Sequence, residues 1–136
     1  RMGYKRLGLA FCEGLKAEAK TTAKILIKHG FEVVSVMCCA GGIPKESIGL
    51  EADQKIIRDQ FEPMCNPIGQ AEICNEAETE LNILLGLCVG HDSLFMKHAK
   101  AYCTVFAVKD RVLGHNPLAL VYNAASYYRR YTEGQD

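Results

Sequence analysis

Four short, uninterrupted apolar runs limit what this chain can become. They are residues 7–11 (LGLAF), 32–37 (EVVSVM), 83–87 (ILLGL) and 102–108 (YCTVFAV). None alternates polar with apolar residues, so each reads as a strand buried on both faces, and such strands belong to parallel sheets covered by helices. The intervening segments supply the helices. Residues 15–29 place Leu15, Ala19, Ala23, Leu26 and Ile27 on one face and end at Gly30, as a helix C-terminus prefers. Residues 51–61 space Ala52, Ile56, Ile57 and Phe61 helically, and Asn66 with Pro67 starts a helix expected to reach about residue 81. Asp92 is placed to cap a helix over 92–99, and residues 118–131 read as a last one. The order β-α-β-α-α-β-α-β-α predicts a three-layer α/β domain. It has a mainly parallel four-stranded sheet with helices on both faces, Rossmann- or flavodoxin-like. No repeat, linker or low-complexity tract divides residues 1–136, so one domain is expected.

Sixteen basic and sixteen acidic side chains cancel, which argues against a nucleic-acid partner. No apolar run approaches the ~20 residues of a membrane span. The chain opens on Arg1 without a secretory start and reads as a piece of something longer. A homo-oligomer stays open.

Cysteine is the unusual residue. Seven cysteines in 136 residues is an odd number, and too few for a disulfide scaffold. Reduced thiols in a cytoplasmic compartment follow. Three of the predicted strands end at a cysteine: Cys12, Cys38 and Cys88. In an open parallel sheet all strand carboxyl ends share one edge, where ligands bind. Topology alone therefore gathers these three, and Cys65, in a Pro-bounded turn of the long crossover, can fold over the same edge. His91, Lys109, Asp110 and His115 follow strands three and four at that rim. Thiolates in fours suit zinc first and an iron–sulfur cluster second, with His91 or His115 able to replace a sulfur. No CxxC pair is present, so the site must assemble from distant segments. Shared zinc ligation requires sulfurs roughly 3.5–4 Å apart, given a Zn–S bond near 2.3 Å, and scatter beyond about 8 Å would exclude it. Cys74 and Cys103 read as core. Cys39 should point away from Cys38 if the strand persists, and stays unassigned. His29 and His98 lie near helix C-termini, where an imidazolium is favoured.

Two other chemistries fit the same residues. Gly86-Leu87-Cys88-Val89-Gly90 has the form of a nucleophile elbow with Cys for Ser, and Asp110 and His115 follow in triad order. A hydrolase of that kind would use Cys88 within hydrogen-bond reach of His115. A thiol redox enzyme would instead pair two of the cysteines in a reversible disulfide. No GxGxxG or Walker motif supports nucleotide binding. Tyr122, Tyr127, Tyr128 and Tyr131 with Arg129 and Arg130 form either a partner surface or an ordinary helix face.

Several segments together resemble a prokaryotic family of uncharacterised, cysteine-rich proteins described as metal-binding. They are LGLAFCEGL, Cys38 with Gly42-Ile43-Pro44-Lys45, MCNPIGQA from Met64, GLCVGHDSLF from Gly86, and VKDRVLGHNPLALVY from Val108. The resemblance implies metal binding through Cys12, Cys38, Cys65 and Cys88, with His91, Asp92, Lys109, Asp110, Arg111, His115 and Asn116 as neighbours. It implies no reaction. Members place a lysine at the position of Cys39, and carry a further cysteine-rich N-terminal segment.

Overall fold

In the computed structural model, which describes residues 2–133, the four apolar runs become β1 (Arg6–Phe11), β2 (Glu32–Met37), β3 (Leu81–Leu85) and β4 (Tyr102–Ala107). All pair in parallel, in the order β2-β1-β3-β4. The chain leaves β1 for one edge strand and returns past it to β3, so the topological switch point lies between β1 and β3. That is where a doubly wound sheet opens a crevice at its carboxyl edge.

A 3-10 turn at Glu13–Leu15 leads into α1 (Lys16–Lys28), which joins β1 to β2. Crossover α2 (Pro67–Glu76) joins β2 to β3, and α3 (His91–His98) joins β3 to β4. Right-handed crossovers running in opposite directions put α1 on one face and α2 with α3 on the other; α2 and α3 pack against each other. The result is three layers. The core lies between them, with Leu9 and Ala10 of β1, Leu84 of β3, Leu15 and Phe95 all essentially inaccessible.

Cap chemistry sets the start of α2. The Asn66 side chain accepts the Gly69 N–H at 2.8 Å, and Pro67 occupies the first helical position. The helix stops at Glu76, earlier than its pattern suggests, and Glu78 turns into left-handed backbone (φ 52°). Asp92 does not cap α3. Gly90 holds that position, and the Asp92 carboxylate accepts the N–H groups of Gly90 and Ser93. Gly86 leaves β3 with φ 62°, and a Cβ there would stand 2.6 Å from Leu15 Cδ2.

Two predicted helices fail. Over 51–61 only a 3-10 turn at Ala52–Gln54 forms, and Ile56 and Phe61 are 86% and 65% exposed. Their helical spacing has no surface to pack on, and amphipathic helices draw their stability from such packing. In 118–131 only α4 (Leu118–Tyr122) and a 3-10 turn at Arg129–Tyr131 form, with most of the aromatic residues exposed. Nor is β4 buried on both faces: Tyr102 and Phe106 lie open at the sheet edge. Among the described residues no helix is long and apolar enough to cross a membrane.

Candidate functional site: a cysteine cleft at the carboxyl edge of the sheet

Each strand delivers one reactive side chain to the same edge. Cys12 follows β1 directly, Cys38 follows β2, Cys88 comes three residues after β3, and Lys109 two residues after β4. These four and Cys65 line a cleft of about 260 Å³, together with Cys39. Cys65 arrives by a different route. The long connection after β2 folds back on itself through an antiparallel bridge between Pro44 and Pro63, with Met64 N–H donating to Ile43 O at 2.8 Å and Lys45 N–H to Glu62 O at 3.1 Å. The Lys45–Glu62 ion pair closes the same staple. Asn66 N–H then donates to Cys38 O at 2.6 Å, which seats Cys65 over the end of β2.

The sulfurs fall into two linked groups. Cys65 Sγ lies 4.0 Å from Cys38 Sγ, and Cys39 Sγ lies 3.8 Å from it. Lys109 Nζ bridges the second group, donating to Cys12 Sγ at 2.9 Å and to Cys88 Sγ at 3.3 Å. Glu13 N–H donates to Cys38 Sγ at 3.3 Å, and Cys39 Sγ faces Glu13 Oε2 at 3.7 Å. Cys39 joins the cleft because β2 ends at Met37 and the chain turns, so strand alternation does not carry its side chain away. Cys74 is fully buried in α2. Cys103, on β4, meets Asn82 Nδ2 and Ala101 O; neither lines the cleft.

The thiols differ in acidity for identifiable reasons. Burial pushes Cys12 up, but the Lys109 ammonium and the Gly14 N–H act more strongly together, and the net shift is downward. Burial likewise opposes the charge on Lys109, and its bonds to Cys12 and Cys88 reverse that, leaving its pKa raised. Burial and the neighbouring Cys38 sulfur push Cys39 up to about 12 and Cys65 up to about 11. A thiol held down by one ammonium, beside two thiols raised by burial, is the pattern these shifts describe.

The histidines stand apart. His91 begins α3 and His115 lies in the loop after β4, and neither lines the cleft. His115 Nδ1 accepts the Asp110 backbone N–H at 3.1 Å, while the Asp110 carboxylate accepts the N–H groups of Val112 and Leu113. A triad base instead donates Nδ1–H to its acid and meets the nucleophile through Nε2. Cys88 is met by Lys109. The structure therefore does not assemble Cys88, Asp110 and His115 into that relay. Among the described residues no three His, Cys, Asp or Glu side chains are closed around a point that would hold a metal ion. Lys109 was foreseeable only as a rim residue after the fourth strand, because its contact to Cys12 spans 97 positions. The Lys45–Glu62 staple left no sequence signal beyond the prolines around it.

The description that matches this chain is "Protein of unknown function (DUF1847)", over residues 1–106. The chain belongs to the DUF1847 family. The matched span contains Cys12, Cys38, Cys39, Cys65 and Cys88 but stops short of Lys109 and Arg111. A relative within reach is the uncharacterized protein MJ0455 of the archaeon Methanocaldococcus jannaschii, 53% identical over 134 residues, covering 98% of this chain and 67% of that protein. No solved structure matches the chain.

Proposed function

We propose that the cleft is a thiolate metal site, with Cys12, Cys38, Cys65 and Cys88 as its ligands and zinc as its first ion, ahead of an iron–sulfur cluster. One observation carries this reading: four cysteines from four distant segments face a single cleft at the switch point, with the Cys38 and Cys65 sulfurs 4.0 Å apart. That separation suits two thiolates sharing an ion at about 2.3 Å. His91 and His115 drop out of the ligand set because they lie off the cleft. Lys109 fills the interval between Cys12 and Cys88 with a positive charge, so an ion bound by all four sulfurs displaces it. Closing the four ligands around a point then accompanies binding, as is common where no rigid preformed site exists. Elemental analysis and an absorption spectrum on protein purified without oxygen test the proposal. Stoichiometric colourless zinc, lost in the Cys38→Ser and Cys65→Ser variants, is the expected result. A brown sulfur-to-iron spectrum would transfer the site to a cluster, and metal-free protein would refute it.

The contact of Lys109 with Cys12 favours a second reading, a thiol redox site. A Cys12 thiolate attacks one sulfur of a small-molecule disulfide, forming a mixed disulfide as the other sulfur leaves as a thiolate. A second cleft thiol then displaces the first partner, giving an intramolecular disulfide and a second free thiol, so the oxidant is the small disulfide itself. Metal-free protein that consumes such a disulfide stoichiometrically would support it.

A further inference from the structure

Gln70 is the polar side chain whose burial the fold does not require. It sits inside α2 with no exposed surface, where an apolar residue would satisfy the core. Its Nε2 donates to Val36 O at 2.7 Å and to Phe11 O at 3.3 Å. Phe11 is the last paired residue of β1 and Val36 the last but one of β2, and Phe11 O already accepts the Cys38 N–H at 2.9 Å. The opposite end of the amide gains nothing, since Oε1 has no partner among the described residues. An unsatisfied buried acceptor is destabilising, so this amide is a poor way merely to fill a core position. Exchanging its N and O would press oxygen against two carbonyls, so the orientation is fixed by its partners.

The two anchored carbonyls immediately precede the site: Phe11 is followed by Cys12, and Val36 by Met37 and Cys38. The helix that carries Gln70 begins one residue after Asn66, and Cys65 precedes that cap. Gln70 is therefore a rigid tie, one helical turn long, between the ends of two strands and the segment bearing Cys65. We propose that Gln70 is a positioning residue for the cysteine cleft: by clamping α2 to the last two β1–β2 rungs it holds the Cys65 sulfur over Cys38. The proposal rests on reading the cleft as a thiol site, and deepens that reading without depending on which ion binds.

The test uses two shape-conserving variants, Gln70→Leu and Gln70→Met, and a bifunctional bimane that bridges two neighbouring thiols. Bridged peptides are mapped by mass spectrometry in metal-free, reduced protein. Loss of both hydrogen bonds is expected to lower the Cys38–Cys65 bridge by about tenfold, the population change two bonds of ordinary net worth support. The Cys38–Cys39 bridge, set by neighbours in the chain and competing for the same Cys38 thiol, should rise as the other falls and serves as the internal control. Circular dichroism should show both variants folded, because Leu and Met refill the volume and remove the orphaned Oε1. An unchanged Cys38–Cys65 bridge in a folded variant overturns the proposal. So does global unfolding of both variants, which would make Gln70 a residue of the fold and not of the site. Wild-type protein that forms the Cys38–Cys65 bridge yet holds no metal would refute the metal reading and leave this inference standing.

Discussion

Replacing Lys109 with Met should convert Cys12 from a thiol held below its ordinary value into an ordinary buried one. The ammonium lies 2.9 Å from Cys12 Sγ. Coulomb attraction at that distance, with an effective dielectric near 20, is about 6 kcal/mol for full unit charges. Solvent at the open side of the cleft and sharing with Cys88 reduce it, and what remains, with the Gly14 N–H, outweighs burial. In the variant, burial alone remains to act, and it raises the thiol. The Cys12 inflection should therefore move upward in the variant. Carbon-13 spectra of cysteine-labelled protein read this directly, because the Cβ shift reports thiol ionisation, and a Cys12→Ser variant assigns the signal. Lys109→Arg, which retains a cation, should restore part of the effect. Stability follows with a defined sign. A thiol whose folded pKa lies below its unfolded value stabilises the fold above the unfolded pKa, and loses that contribution as pH falls through the folded pKa. The variant should lack that increment, so its stability should gain less than wild type as pH rises toward 9. An inflection for Cys12 that is unmoved in Lys109→Met would refute the account of the site's charge.

Cys39, Cys65 and Cys74 carry the opposite sign, with values pushed from 9.0 up to about 12, about 11 and about 11. The unfolded chain releases these protons near pH 9 and the folded one retains them, so chemical-denaturation stability should fall between pH 9 and 11, and the fall should shrink when Cys74 is replaced by Ala. Asn66→Ala removes the cap that starts α2 and the side-chain bond to Ala40 O, and should cost about 1 kcal/mol in urea melts while lowering the Cys38–Cys65 bridge. Gly86→Ala introduces a Cβ 2.6 Å from Leu15 Cδ2 at a φ of 62°, and thermal melting should show a loss of about 1–3 kcal/mol. A melt within error of wild type would mean that Leu15 relocates freely. Phe95→Ala empties the least accessible aromatic position of α3 and should cost about 3–5 kcal/mol, without moving any thiol titration.

The cleft was legible in advance to the extent that topology determined it. Strand runs without alternation implied a parallel sheet, a parallel sheet implied one carboxyl edge, and Cys12, Cys38 and Cys88 then had to meet there. The signal failed where local pattern and tertiary support parted. Ile56, Ile57 and Phe61 have helical spacing, yet the segment is held by the Lys45–Glu62 staple and the Pro44–Pro63 bridge, both made by residues outside it. Cys39 was ambiguous because its direction depends on whether β2 continues one residue longer, which no side chain nearby decides. The histidines were attractive as ligands by type alone, but His115 spends Nδ1 on its own loop.

What the sequence least disclosed is the balance of charge. A cluster of thiols at a switch point is neutral or anionic according to what stands opposite, and here a single ammonium stands between two of them while burial pushes Cys39 and Cys65 up. The site thus has one part, beneath β1 and β3, where Lys109 lowers the Cys12 thiol, and another, beneath β2 and the Cys65 segment, where burial raises Cys39 and Cys65. On the proposed metal reading, a thiophilic cation would displace Lys109 from between Cys12 and Cys88 and draw the sulfurs around one point. The segment from Cys65 to Gln70 already places Cys65 Sγ 4.0 Å from Cys38 Sγ. The chemistry of the cleft therefore depends as much on an uncharged amide in α2 as on the cysteines.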